Sequence, residues 1–292
     1  MRILQQIWKT ADENSRGTPM SDMHHRELTY YLRGLGFRIH NALKGGHEES
    51  VYEQALAWSL ARDKTPFLRQ SQHRIDYKGK QVGEYYTDFM LADGKVLVEC
   101  KAAPEITPQH KAQVLSYMAV TKAELGFIMN FGAPSLQTER LPNFLDRRKP
   151  LEWQTATPVD QLFPKLTNQV LKSLYTVHHE LGPGFLSQVY RRATRIELAN
   201  QRLNFIYLKE LPLFYEGHQL TTVSSRLFLL EEKILLATFA ATGMTHQYTD
   251  KMYWAMQVTN VPLGILANFY PSRLDVHFVR ARQPPASGAP DG

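Results

Sequence analysis

The chain of 292 residues has one cysteine, Cys100. A single thiol excludes an intrachain disulfide framework and any cysteine-rich zinc or iron–sulfur site, and it suits a reducing, cytoplasmic setting. No apolar run approaches the ~18 residues needed to cross a bilayer, the longest being Ile234 to Ala241, so no membrane partner is expected. The opening stretch MRILQQIWKTADENS carries acids and lacks the apolar core of a signal peptide. There is no GxGxxG or P-loop to cradle a nucleotide, no HExxH, and no GxSxG elbow for an acyl-transfer serine. His24-His25 and His178-His179 are adjacent pairs, which face different sides of a helix and make poor metal clamps. Charge is only mildly one-sided: 34 basic against 28 acidic residues give +6 and a pI near 9.2. That balance permits a nucleic-acid partner without requiring one. With 43% hydrophobic and 21% charged residues, the chain is neither disordered nor fibrous, and its length suits about two domains.

What is present is a duplication. GHEESVYEQALAWSLA (46–61) aligns with GFLSQVYRRATRIELA (184–199), pairing Tyr52 with Tyr190 at an offset of 138. The same offset pairs Phe67 with Phe205, Tyr77 with Tyr215, Gly126 with Gly264, Asn130 with Asn268 and Phe131 with Phe269. One register holds without a gap over about a hundred residues, and the unit is too large and too few in number for a solenoid. The expected organisation is an N-terminal extension (1–22), a first unit (23–142), a proline-spaced linker (143–159), a second unit (160–281) and a tail (282–292) whose QPPASGAPDG reads as disordered. Met20 and Met23 are alternative starts, and Arg147-Arg148-Lys149 reads as a solvated surface run.

Within the first unit, Leu28, Leu32, Leu35, Ile39 and Leu43 recur at helical spacing, and Gly45-Gly46 breaks that helix. A second helix is predicted over 48–61, strands over 73–77, 83–91 and 95–101, a further helix over 107–121 and a buried strand over 126–131. The order makes each unit an α/β fold with a central mixed sheet flanked by helices.

Ala92-Asp93-Gly94-Lys95 reads as a two-residue hairpin turn with positive φ at Asp93 and Gly94. Counting outward from Ala92 opposite Lys95 puts Asp88 directly across from Glu99, on one face, about 5 Å apart at Cβ. Lys101 shares that face, while Val98 and Cys100 point into apolar packing. Two opposed carboxylates repel, and a divalent metal with hard oxygen ligands is one reason to keep them; the Cys100 carbonyl is a further candidate ligand. A lysine beside the metal would orient or help deprotonate an attacking water. The competing reading is a solvated ion-pair cluster around Lys101. Gly46-x-x-Glu49-x-x-Tyr52 opens the second helix, and Gln113-x-x-x-Tyr117 sits one turn apart on the later one. Tyr52 reads first as core, because Tyr190 repeats it. Glu84, before Asp88, is a possible rival acid.

This ordered set resembles the PD-(D/E)XK, or restriction-endonuclease-like, nuclease superfamily. Asp88 and Glu99-Cys100-Lys101 match its D…ExK core, Gly46, Glu49 and Tyr52 match the signature of its GxxExxY family, and Gln113…Tyr117 resembles the QxxxY element of its RecB-like branch. The resemblance implies two tandem restriction-endonuclease-like units with αβββαβ cores, a Mg²⁺ or Mn²⁺ site and phosphodiester hydrolysis of nucleic acid, DNA being the first candidate. It implies that Asp88 and Glu99 bind metal, with Glu49 assisting from the helix. Lys101 would position the nucleophile, and Gln113 and Tyr117 would hold the site or contact substrate.

At the offset, Glu49 becomes Ser187, Asp88 becomes Arg226, Glu99 becomes Ala237, Lys101 becomes Phe239, Gln113 becomes Lys251 and Tyr117 becomes Ala255. A metal site does not survive loss of its anionic oxygens, so the second unit reads as a pseudo-nuclease, an intramolecular pseudo-dimer partner within a monomer. Arg191, Arg192, Arg195 and Arg226 are gained there and suit phosphate contact, or a solvated basic helix. The alternatives to a nuclease are a non-catalytic nucleic-acid-binding or interaction protein, and a scaffold with a vestigial site.

Overall fold

The computed structural model describes residues 25–143, 151, 152, 154 and 162–281. The expected N-terminal extension, most of the linker with Arg147-Arg148-Lys149, and the tail lie outside the described residues.

The first repeat runs α1 (Arg26–Leu43), α2 (Glu49–Arg62), β1 (Phe67–Tyr77), β2 (Lys80–Leu91), β3 (Val96–Lys101), α3 (Pro108–Thr121), β4 (Leu125–Asn130) and β5 (Gln137–Pro142). The second runs α4 (Pro164–Leu181), α5 (Ser187–Asn200), β6 (Phe205–Tyr215), β7 (His218–Leu230), β8 (Ile234–Phe239), α6 (His246–Thr259), β9 (Leu263–Asn268) and β10 (Asp275–Arg280). Apart from one extra residue at the end of β7, every element lies 138 residues after its counterpart. Each repeat forms a five-stranded sheet in the order β1-β2-β3-β4-β5 or β10-β9-β8-β7-β6. The sheets are mixed: β3 pairs with β4 in parallel, crossing over through α3, whereas β2–β3 and β4–β5 are antiparallel. The fold class is therefore α/β with two tandem mixed-sheet units. β5 and β10, edge strands beyond the predicted core, are additions to the expected order.

Burial explains the central strands. β3 and β4 are buried at every residue, as fits a strand covered on both faces. Val98, Cys100, Phe127 and Met129 pack with Leu32, Leu35, Tyr52, Leu56 and Phe131 in one cluster. Both outer hairpins turn on a pair of positive-φ residues, Lys78-Gly79 and Glu216-Gly217, a backbone suited to a two-residue connection.

Polar contacts of the scaffold repeat as well. Tyr52 Oη donates to Lys44 O and Tyr190 Oη to Gly182 O, each at 2.7 Å. Tyr52 stacks on Phe131 and Tyr190 on Phe269, at 4.8 and 4.5 Å between centroids. Asn130 makes a two-way amide pair with the Ala103 backbone, as Asn268 does with Ala241. That pair ties down the chain as it leaves β3 or β8. Gly46 and Gly184 both sit at positive φ, +99° and +106°, where a side chain would be strained.

The boundaries of compactness do not coincide with those of the repeats. One unit comprises Met1–Ser71, Tyr86–Thr107 and Thr121–Arg147; the other comprises Gln72–Tyr85, Pro108–Val120 and Arg148–Gly292. The tip of the first hairpin and nearly all of α3 thus belong with the second repeat. Inside that unit, Tyr77 Oη and Lys78 Nζ both donate to the buried Glu197 Oε2, at 2.9 and 2.6 Å. No described helix is long and apolar enough to cross a membrane.

Candidate active site

The turn at Asp93-Gly94 forms as its sequence predicts. Both residues have positive φ, 55° and 85°, and Lys95 N–H donates to Ala92 O at 3.1 Å. The register follows: Leu91 pairs with Val96, Met90 with Leu97 and Phe89 with Val98. The ladder stops there, one pair short of Asp88 and Glu99. The two acids are not a ladder pair, because the Asp88 carboxylate takes the Cys100 amide itself, N–H to Oδ2 at 2.8 Å. Asp88 is thereby fixed to the backbone of the Glu99-Cys100-Lys101 strand.

Glu99 and Lys101 are buried, with 4% and 8% exposure. Lys101 Nζ donates to Glu99 Oε1 at 2.8 Å and to Glu49 Oε1 at 3.1 Å, bridging strand and helix. The other Glu99 oxygen, Oε2, is buried with no hydrogen-bond partner. This is a buried cluster, which excludes the exposed ion-pair reading.

Burial and the Glu99 charge push the Asp88 carboxyl up to about 8. Glu99 is also raised, chiefly by burial, against the pull of Lys101. Lys101 goes up too: burial works against its charge, but Glu99 and Glu49 outweigh it. The acids around it therefore favour its charged, ammonium form. The neighbouring carboxylates hold the proton on the nitrogen.

Two members of the cluster were not among the expected site residues. Glu53, one helical turn after Glu49 and buried, raises both Asp88 and Glu99, and it pairs with Arg69 of β1 at 3.4 Å. Their signal was readable, since the offset turns Glu53 into Arg191 and Arg69 into Tyr207. Gln113 and Tyr117 lie on α3, in the unit that does not contain Asp88, Glu99 and Lys101. Gln113 Nε2 donates to Tyr117 Oη at 2.7 Å, Tyr117 Oη donates to Gly184 O at 3.2 Å, and Tyr85 stacks on Tyr117 at 4.4 Å. Glu84 is exposed and bonded to Gln72 and Gln81, in the unit that does not contain Asp88.

In the second repeat the equivalent positions have other work. Ser187 Oγ accepts the Ala240 N–H at 2.9 Å, and Phe239 stacks on Tyr248 at 4.3 Å where the first repeat holds Lys101. Arg226 sits exposed at φ 52°, in a bulge where β7 carries two residues against one of β6. Arg192 and Arg195 are exposed on α5, and Arg191 is half-buried beside Tyr207.

A divalent cation fits the first repeat's donor set. Among the described residues no three His, Cys, Asp or Glu side chains converge as a ready metal cluster. Mg²⁺, however, needs only one or two carboxylates, the rest being water and substrate. Glu99 Oε2 supplies a buried carboxylate oxygen that nothing satisfies, and Asp88 stands beside it. Both are disfavoured as bare anions, which a cation would relieve.

Comparison with known proteins agrees with the architecture. A family model of the PD-(D/E)XK nuclease superfamily matches twice, over residues 26–141 and 164–281. No curated protein matches. Three solved chains match. One of them, titled "Crystal structure of SSO0001", is 13% identical with a TM-score of 0.27, covering 49% of this chain and 79% of that one. Two tandem matches spanning most of the sequence establish that the chain belongs to the PD-(D/E)XK nuclease superfamily.

Proposed function

We propose that the chain is a metal-dependent nuclease that hydrolyses phosphodiester bonds of nucleic acid, with DNA as the first substrate to test. The first repeat is the catalytic copy, of the GxxExxY type, and the second is a pseudo-nuclease. The carrying observation is the buried Glu99 carboxylate, one oxygen held by Lys101 and the other without a partner, next to an Asp88 locked to the same strand.

In this reading Asp88 and Glu99, with the Cys100 carbonyl, hold Mg²⁺ or Mn²⁺, and Glu49 assists directly or through water. Such a cation, when bound, would supply water activation and polarisation of the phosphate. Asp88 is oriented by the Cys100 amide, so its carboxylate keeps one position on the strand. Glu49, only part-exposed, holds Lys101 from the helix side. Lys101 presents a fixed positive charge, which orients the attacking water and stabilises charge growing on the phosphate oxygens. Water adds to phosphorus, the P–O ester bond breaks, and the leaving oxygen takes up a proton. Tyr117 is buried and accepts a hydrogen bond from Gln113, and the two would hold α3 or contact substrate.

The second repeat serves as an intramolecular partner within a monomer. The assignment of the first hairpin's tip and most of α3 to its compact unit supports that pairing. A buried, reduced Cys100 suits a cytoplasmic protein.

The test is cleavage of plasmid and of single-stranded DNA and RNA by the purified full chain with Mg²⁺ or Mn²⁺. Wild type cuts; Glu99→Gln and Lys101→Met, shown to be folded by circular dichroism, do not. Cleavage that survives both substitutions sinks the proposal.

A further inference from the structure

The second repeat has more than lost the acids: the charge at their place has changed sign. In the first repeat, Glu49, Glu53, Asp88 and Glu99 stand with Arg69 and Lys101, four acids to two bases. The same positions in the second repeat hold Ser187, Arg191, Arg226, Ala237, Tyr207 and Phe239, with positive charge only. Where Glu53 pairs with Arg69, the second repeat sets Arg191 beside Tyr207, which keeps the two positions together and removes the counter-charge.

Arg191 is half-buried, and its Nε lies under the surface with no hydrogen-bond partner. The groups acting on its charge are Tyr207 and two further guanidiniums, Arg226 and Arg192; burial is the largest influence and lowers it. Neither Arg191 nor Arg226 pairs with a described carboxylate. The β7 bulge re-aims Arg226, and Lys209, also exposed, is the single residue opposite it. Two unneutralised guanidiniums, one with a buried donor left over, lack an anion. A phosphate supplies several acceptor oxygens at once and suits their planar forks.

We infer that the degenerate site of the second repeat, built on Arg191 and Arg226 with Arg192 at its margin, is a binding site for a phosphate group. Under the nuclease reading, on which only the identity of the ligand rests, that group is a backbone phosphodiester of the substrate. One copy then cuts the strand while the other grips it.

Two arms separate this inference from the nuclease reading. In the first, thermal unfolding of the full chain in EDTA is followed with and without inorganic pyrophosphate. Pyrophosphate should raise the wild-type Tm, and Arg191→Gln and Arg226→Gln should each abolish the rise, while the exposed control Arg202→Gln retains it. In the second arm, a fluorescent single-stranded 20-mer is titrated in EDTA, where no turnover occurs. Arg191→Gln and Arg226→Gln should each weaken binding about tenfold and reduce the salt slope by about one, with Arg202→Gln changing neither. A pyrophosphate effect lost in both variants, without oligonucleotide binding by wild type, leaves the phosphate site standing and removes the nucleic-acid ligand. The inference is overturned if wild type responds to neither probe, or if both folded variants match it with each.

Discussion

The two repeats are the same scaffold with opposite electrostatics. Elements, sheet order, the buried tyrosine clasp and the asparagine that closes the loop after the central strand are matched residue for residue at one offset. Where the first repeat buries Glu99 and Lys101, the second buries Phe239, stacked on a half-buried Tyr248. The lesson is that the charged cluster does not make the fold. A buried ion pair is weak evidence of stability, because desolvation offsets its attraction. The second repeat shows that packing carries the same strand without it, so the fold does not account for the charges of the first.

The comparison breaks most readily on activity. Glu99→Gln should lower cleavage at least about a hundredfold, while Ala237→Glu in the second repeat confers none, since Arg226 and Phe239 still stand beside it. Gel-based rates on the two variants decide this, and cleavage by Glu99→Gln protein within about tenfold of wild type counts against the assignment of roles. Stability comes next. Lys101→Ala should cost about 3–5 kcal/mol by stranding buried carboxylates, and Phe239→Ala a similar ~3–5 kcal/mol by opening a cavity. Urea unfolding distinguishes the causes: lowering the pH should restore stability to Lys101→Ala, by protonating the acids, and not to Phe239→Ala.

A pH scan sharpens the contrast further. Folding raises Asp88 from an ordinary carboxylate value near about 3.9 to about 8, so across that interval the folded, metal-free chain binds more protons than the unfolded one. Its stability should therefore fall as pH rises from about 4 to about 8, with Glu99 acting in the same direction. Mg²⁺ should flatten the decline, and Asp88→Asn should remove much of it. A metal-free Tm that rises through this range excludes the burial described. The smallest effects test sameness. Tyr52→Phe and Tyr190→Phe each delete one hydrogen bond of equal length and should each cost about 1 kcal/mol. Unequal urea midpoints would show that the two clasps are not equivalent.

Much of this was legible in the chain itself. A gap-free offset carried the duplication and the order of elements, and Asp93-Gly94 set the β2–β3 register. β5 was not predicted, because Gln137–Pro142 is half-exposed at every residue and shows no apolar alternation. The first half of β1 escaped for the same reason, its FLRQSQ alternating between exposed and half-exposed. Asp88 and Glu99 were expected as a cross-strand pair, yet spacing alone does not reveal that a short carboxylate will take a backbone amide and end the ladder. The charge state of Lys101 depends on which acids surround it, and the grouping of the first hairpin's tip with the second repeat depends on tertiary packing. Neither is written in local sequence.

Cys100 offers a last consequence. The lone thiol of the chain lies fully buried between Glu99 and Lys101, its ionisation suppressed by burial. A thiol-specific reagent reaches it only when the central strand opens. The rate of alkylation thus times the opening of one strand in one repeat. With no second sulfhydryl to blur the signal, the natural chain reports on the strand that carries Glu99 and Lys101 without an introduced label.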